Sequence, residues 1–449
     1  MRVCVIGGGW AGMAAAVAAA GRGHSVTVIE SARTVGGRAR ALPVNLPDGA
    51  VATLDNGQHI LIGAYSESLR LLRIVGVNPH QALLRLPLAL VFPDGRGLAL
   101  PPLAPPLDAL MGIVGARGWS WCDKLALLKA AMRWRSDGFS CDATASVAQL
   151  CASLSPRLMA EFIEPLCVSA LNTPADRASG AVFLRVLRDA LFGGRGGSNL
   201  LLPRCDLGTL FPQAAAHWLQ TRGHKVRVGL RVSDLQGAPP SASTASLGAV
   251  NSAQALGWQV GSEPFDRVLL ATAAADAARL VTGAAKHLAA KASDQAPALR
   301  DWAATTAALQ HEAITTVYAM VMADAPLPLA RPMLALRSGA AGPAQFVFDR
   351  GALGGPRGLL AFVVSVSDGD RDALQQAVVQ QARVELGLTV VPVQTVTEKR
   401  ATFACTPGLL RPPMKIVPGL LACGDYVEGP YPATLEGAVR SGWAVGDLP

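Results

Sequence analysis

Residues 3–6, Val3-Cys4-Val5-Ile6, form a short apolar run of β type. The glycine-rich stretch Gly7-Gly8-Gly9-Trp10-Ala11-Gly12 separates it from an alanine-rich segment, residues 13–20, that reads as helix. A second apolar run, residues 25–29, predicts another strand and ends on Glu30. Residues 266–272 and 419–423 read as further buried strands, and Pro432-Ala433-Thr434-Leu435-Glu436-Gly437-Ala438 opens a last helix. Between residues 121 and 134, Leu125, Leu128 and Met132 recur at helical spacing among Lys124, Lys129, Arg133 and Arg135, flanked by Trp119. That segment supports two readings: an interfacial helix with Trp and basic residues at lipid headgroups, or an ordinary packed helix with a solvated basic face. The proline-rich stretch 86–106 is read as the wall of a substrate entrance or as a plain surface crossing. Residues 236–254, rich in Ala, Ser, Pro and Gly, interrupt an expected hairpin between residues 226–235 and 257–260, and are read as a mobile surface loop with no catalytic role. No apolar run reaches the about 18–20 residues of a spanning helix; residues 98–116 come nearest but carry Asp108 and four prolines.

The order strand, glycine turn, helix, strand, acid defines a dinucleotide site. Gly7 permits the tight turn, Gly9 lets backbone approach a pyrophosphate, and Gly12 lets the helix pack close to the sheet. Unpaired N–H groups and the positive dipole end of that helix, beginning near Trp10 and Ala11, then face the phosphates. Glu30 is placed to take both hydroxyls of an adenosine ribose. Val35-Gly36-Gly37-Arg38 adds backbone to pass beneath the pyrophosphate and a guanidinium to neutralise it. At the other end, Gly424-Asp425 follows a buried strand and precedes a helix whose N-terminus suits the electron-rich edge of a flavin.

Length and composition narrow the class further. A chain of 449 residues holds two or three domains, and 51% hydrophobic against 16% charged residues excludes global disorder. The net charge of +8 comes mainly from Arg spread along the chain, which argues against nucleic acid and suits an anionic membrane surface or a lipid-like substrate. Eight cysteines show no metal-binding spacing, so no metal is expected and reduced thiols in a cytoplasmic protein are the simplest account. Arg2, the apolar run after it and Ala18-Ala19-Ala20 imitate a signal peptide, a reading that the continuing nucleotide unit overrides. The expected location is the cytoplasm, with a peripheral position on the inner face of the membrane as its extension.

These pieces together resemble the FAD-dependent amine oxidase and phytoene desaturase superfamily. The resemblance is carried by the glycine turn with Glu30, the Gly36-Gly37-Arg38 loop, Asp55-Asn56-Gly57-Gln58-His59, Gly223-His224-Lys225-Val226 followed by Val232, and Gly424-Asp425 with Leu435-Glu436-Gly437-Ala438. It implies an α/β fold with a discontinuous Rossmann-like FAD-binding domain (residues 1–80, 200–275 and 410–449). An inserted α+β substrate domain (81–199 and 276–409) would include a helical, membrane-facing part. It also implies noncovalent FAD, with Val232 against the adenine, Arg38 on the phosphates and Asp425 at the ribityl or pyrophosphate region. Gly57, Gln58, Thr434 and Leu435 would border the isoalloxazine ring.

Longer strings, among them residues 55–65, 164–173, 201–208 and 429–437, are similar to the hydroxysqualene dehydroxylases of bacterial hopanoid pathways. That resemblance implies reductive removal of an allylic hydroxyl from a C30 isoprenoid, giving squalene. An acid must protonate the departing oxygen, and a dry pocket must receive the hydrocarbon. Asp55, His59 and Tyr431 are the candidates for that acid or for orienting it. Each also has a structural reading: Asp55 as a loop anchor accepting backbone N–H groups, His59 as a satisfied core histidine, Tyr431 as a packing residue between prolines. Glu164 and Asn172 would line the tunnel or finish a helix. Carotenoid-type desaturation, amine oxidation with an aromatic cage and a nearby Lys, and non-catalytic lipid or flavin binding stay open as alternatives. No residue pattern names the electron donor.

Overall fold

The computed structural model describes residues 1–238, 257–322, 329–339 and 342–448. Alternation along the strand Arg2–Ile6 sends Val3 and Val5 into one apolar cluster and Cys4 and Ile6 into another, so this strand is buried on both faces. It lies at the middle of a six-stranded sheet ordered Lys225–Arg227, Ser25–Ile29, Arg2–Ile6, Arg267–Leu270, Leu420–Ala422, Lys415–Val417. The first five run parallel, with Val3 beside both Val26 and Arg267 and Leu269 beside Leu421; the sixth is antiparallel. One sheet thus draws strands from the start, the middle and the end of the chain.

The helix Trp10–Gly21 covers one face of this sheet and is itself covered by the last helix, Leu435–Gly446. Small residues make that crossing close. A Cβ on Gly442 would sit 2.1 Å from the carbonyl oxygen of Ala11, and one on Gly446 would sit 2.3 Å from that of Ala15. The two ends of the polypeptide are therefore in backbone contact, and only glycine allows it.

A second, antiparallel sheet of five strands, ordered Met333–Ala335, Phe346–Asp349, Leu359–Ser365, His311–Val321, Val390–Phe403, is built from the later insert. The earlier insert is mostly helical: Leu107–Gly115, Trp121–Ser136, a π-helical turn Met159–Ile163 running into Glu164–Leu171, and Gly180–Leu191. Ser120 starts the second of these with a reciprocal cap, its hydroxyl accepting from the Asp123 N–H and its own N–H donating to the Asp123 carboxylate. A small three-stranded sheet of Leu61–Ile62, Leu200–Pro203 and Leu83–Leu86 ties the nucleotide half to this insert.

One expectation changes. The hairpin expected between residues 226–235 and 257–260 is split: Lys225–Arg227 joins the parallel sheet, and only Gln236–Ala238 pairs with Gly257–Val260. Burial of Val26 and Val28 beside an open sheet edge favours a further parallel neighbour over a longer hairpin. Of the loop read at 236–254, residues 239–254 lie outside the described residues. The helix Ala274–Ala289, which begins at the boundary expected at residue 275, presents Asp276, Arg279 and Leu280 to the nucleotide cavity.

Candidate active site

A cavity of about 450 Å³ runs along the carboxyl ends of the parallel strands, within the range of cofactor sites. Its wall gathers Gly7, Gly9, Trp10, Ala11, Glu30, Gly36, Gly37, Arg38, Gly57, Gln58, His59, Val232, Gly424, Asp425, Thr434 and Leu435. Gly12 is not on that wall. A Cβ there would fall 1.9 Å from the Gly7 carbonyl oxygen, so its role is to let the helix close on the turn.

At one end of the cavity, the buried Glu30 carboxylate accepts from the N–H of Gly8 at 2.6 Å and the N–H of Ala32 at 2.7 Å. Val232, Asp276 and Arg279 border the same cavity. Further along, the Arg38 guanidinium pairs with Asp425 and also donates to the Ala401 carbonyl at 2.7 Å. This pair joins the early loop to the late Gly-Asp turn, a contact that neither residue's separate expected role foretold. Thr434 caps the last helix by accepting from the Gly437 N–H at 3.0 Å, while its own hydroxyl donates to the Tyr431 carbonyl.

The three candidate acids separate. Asp55 lines neither this cavity nor the apolar one that adjoins it; it is a buried anchor, its carboxylate accepting from the Leu207 N–H at 2.7 Å and its carbonyl from the Tyr318 hydroxyl at 2.9 Å. Burial pushes its carboxyl up to about 7 against the opposing pull of the Leu207 N–H and Arg350. His59 lines the nucleotide cavity with Nδ1 2.9 Å from the Gly57 carbonyl. Burial lowers its pKa, so the ring is neutral at pH 7; Nδ1–H donates and Nε2 carries a lone pair. Tyr431 stands on the adjoining cavity, and burial with the neighbouring Asp189 raises its phenol.

That second cavity is apolar. Leu88, Leu90, Leu98 and Leu100 from the proline-rich stretch form one wall, and Ile113, Leu127, Trp134, Phe139, Phe162 and Phe192 form others. Asp189 is the one charged residue among the described residues lining it. It shares Ile60, Tyr65, Ser169, Ala170, Phe346 and Thr434 with the nucleotide cavity, so the two spaces meet next to Gly57, Gln58 and Leu435. Glu164 reaches neither cavity and accepts from the Ala175 N–H; Asn172 finishes its helix in a left-handed conformation, lines the nucleotide cavity and bonds Thr402 and the Val366 N–H.

Sequence reading missed Arg350, a buried arginine that donates to the Gln58 side chain at 3.0 Å. It lies between strands of the second sheet with no local motif to mark it. It also missed the Gly442 and Gly446 pair, for which the Gly-x-x-x-Gly spacing was a usable signal. The buried Cys423 thiol is pushed up to about 12 by burial and is therefore no nucleophile. Among the described residues no group of His, Cys, Asp and Glu could hold a metal ion.

The fold and the paired cavities define a flavin-dependent oxidoreductase. Residues 10–447 match the family of flavin containing amine oxidoreductases, and the chain belongs to it. It is 27% identical to a hydroxysqualene dehydroxylase of Rhodopseudomonas palustris, over 99% of this chain and 97% of that protein. It is 25% identical to one of Sinorhizobium fredii with the same coverage. A carotenoid phi-ring synthase of Streptomyces griseus matches over 25% of this chain only, at 40% identity. Among solved structures, an oxidoreductase from Methanosarcina mazei superposes with a TM-score of 0.69 at 17% identity, covering 99% of both chains. Cyclohexylamine oxidase from Brevibacterium oxydans superposes with a TM-score of 0.60 at 15% identity, covering 99% of this chain and 97% of that one. The cofactor of the enzyme is FAD. The wall fits it: a glycine turn that a Cβ would fill, a helix N-terminus, a carboxylate at the ribose end and an arginine midway.

Proposed function

We propose that this enzyme reductively dehydroxylates hydroxysqualene to squalene, a step of hopanoid biosynthesis. The observation that carries the reading is the apolar chamber adjoining the flavin end of the nucleotide cavity, bordered by a single carboxylate and no cation among the described residues. Such a chamber suits a hydrocarbon and excludes the water that would recapture an allylic cation. The full-length relatives named hydroxysqualene dehydroxylase support the same substrate.

Noncovalent FAD, when bound and reduced, would supply the hydride. The chain's residues do the rest. Gly7, Gly9 and the N-terminus of Trp10–Gly21 would hold the pyrophosphate and Glu30 the ribose, while the Arg38–Asp425 pair joins the two loops around them. Leu and Phe side chains keep the chamber dry. Tyr431 keeps its phenolic proton through neutral pH at the chamber wall, and is the proposed donor to the departing hydroxyl, which leaves as water. His59, neutral with Nδ1–H committed to Gly57, orients the loop instead.

A carotenoid-type desaturase would use the same chamber in the oxidising direction. Amine oxidation is less well supported, since neither cavity is lined by a lysine among the described residues. The deciding experiment mixes anaerobically reduced enzyme with hydroxysqualene and analyses the product. Squalene with matching flavin oxidation is expected; an unreacted alcohol and a flavin that stays reduced would reject the reading, and dehydrogenation of phytoene or squalene by oxidised enzyme would replace it. Glu30→Ala is expected to weaken FAD binding by about 1–3 kcal/mol, through lost ribose contacts and the freed Gly8 N–H, measured by flavin titration of the apoenzyme.

A further inference from the structure

Half of the exposed large apolar side chains among the described residues fall between Leu103 and Met132; the rest are scattered. On the helix Trp121–Ser136, Trp121, Leu125, Leu128 and Met132 follow one another at spacings of four, three and four, which is one stripe. Three of the four face outward, with Trp121 66%, Leu125 54% and Met132 63% exposed, while Leu128 is half-buried against the core. Leu127, Ala130 and Trp134, on the opposite side, are the buried face. The preceding helix repeats the arrangement: Leu107, Leu110 and Met111 are exposed while Ile113 is buried. Lys124 ties the two helices together, donating to the Val114 carbonyl at 2.7 Å while its ammonium lies 4.9 Å from the centre of the Trp121 ring, so the two stripes form one surface.

Charge frames this surface on both sides. Around the second helix, Lys129 and Arg133 fall along one edge of the stripe, Lys124 and Arg135 along the other. The two acids between residues 103 and 136 are turned inward: Asp108 is buried, and Asp123 accepts from Ser120 and Ser155. The first exposed acid is Asp137, past the helix end. The inward faces of the same two helices, through Ala109, Ile113, Leu127, Ala131 and Trp134, wall the apolar chamber.

We propose that this helix pair docks on an anionic phospholipid bilayer, lying in the interface with its apolar stripe among the acyl chains and its cations at the phosphates. Apolar side chains gathered on one face and exposed to water are costly, and a cationic fringe with no outward acid complements an anionic surface. The helices then form the single layer between bilayer and chamber, which gives a lipid-soluble substrate a route that avoids water. No helix among the described residues is long and apolar enough to cross the membrane. The inference stands whichever apolar substrate the chamber takes.

Sedimentation with vesicles of equal parts phosphatidylethanolamine and phosphatidylglycerol tests it, using the flavin-loaded enzyme. Wild type is expected in the pellet, and the Leu125→Glu, Met132→Glu variant in the supernatant with unchanged flavin absorbance and melting temperature. Lys129→Ser with Arg135→Ser is expected to weaken binding about tenfold or more, and phosphatidylcholine vesicles to bind wild type comparably weakly. Wild type remaining in the supernatant, or the double Glu variant still pelleting, overturns the proposal. So does a lipid-free dimer that the double Glu variant turns to monomer, which would assign the face to a second copy of the chain.

Discussion

Replacing Asp55 by Asn is expected to remove a large part of the protein's loss of stability between pH 4 and 7. The folded chain holds the Asp55 proton up to about pH 7, whereas the unfolded chain releases it in the ordinary carboxylate range. Across that window the native state binds more protons than the unfolded state, so stability falls as pH rises through the folded pKa, by on the order of 4 kcal/mol in total. An Asn of the same shape keeps an oxygen for the Leu207 N–H and never ionises. Denaturation curves of the two proteins should coincide near pH 4 and separate steadily toward pH 7, with the variant more stable. Parallel curves would show that burial does not govern this carboxyl. Because Asp55 borders neither cavity, turnover should lose much less than the roughly 10²–10⁴-fold that removing a proton donor costs. A loss in that range would return Asp55 to the chemistry.

Gly12→Ala is expected to yield a colourless protein. The added methyl meets the Gly7 carbonyl oxygen at 1.9 Å and the Ala271 side chain at 3.0 Å. Neither can swing away, since one is backbone of the phosphate turn and the other borders it. Relief requires the helix Trp10–Gly21 to lift from the sheet, costing about 1–3 kcal/mol or more and moving the helix N-terminus from the pyrophosphate. Gly21→Ala in the same helix is the control. Its Cβ would meet nothing within 4 Å, so flavin content should be unchanged and stability raised by about 0.5–1 kcal/mol. Equal flavin in both variants would sink the assignment of Gly12 as the contact that seats the helix.

Much of the site was legible because its geometry is local. A strand, a glycine turn and a helix impose the phosphate cradle within a dozen residues, and Glu30 follows at the end of the next strand where the ribose belongs. The Ser120 cap is equally local. Chemistry was harder to place. Asp55 and His59 are four residues apart, yet one is stapled behind the site and the other lines it, because the chain leaves its strand after Asp55.

The sequence by itself determined the cofactor, the order of the pieces that hold it and the greasy character of the substrate side, since each follows from residue type at short range. Tertiary structure alone decided which surfaces meet. The helix Trp121–Ser136 carries two apolar stripes, and helical spacing cannot tell which is inside; burial of Leu127, Ala130 and Trp134 on the chamber side leaves Leu125 and Met132 outward. Likewise, Gly442 and Gly446 became meaningful once the last helix lay on the carbonyls of Ala11 and Ala15. Contacts across some 430 positions depend on the free energy of the whole assembled core, which no local pattern encodes.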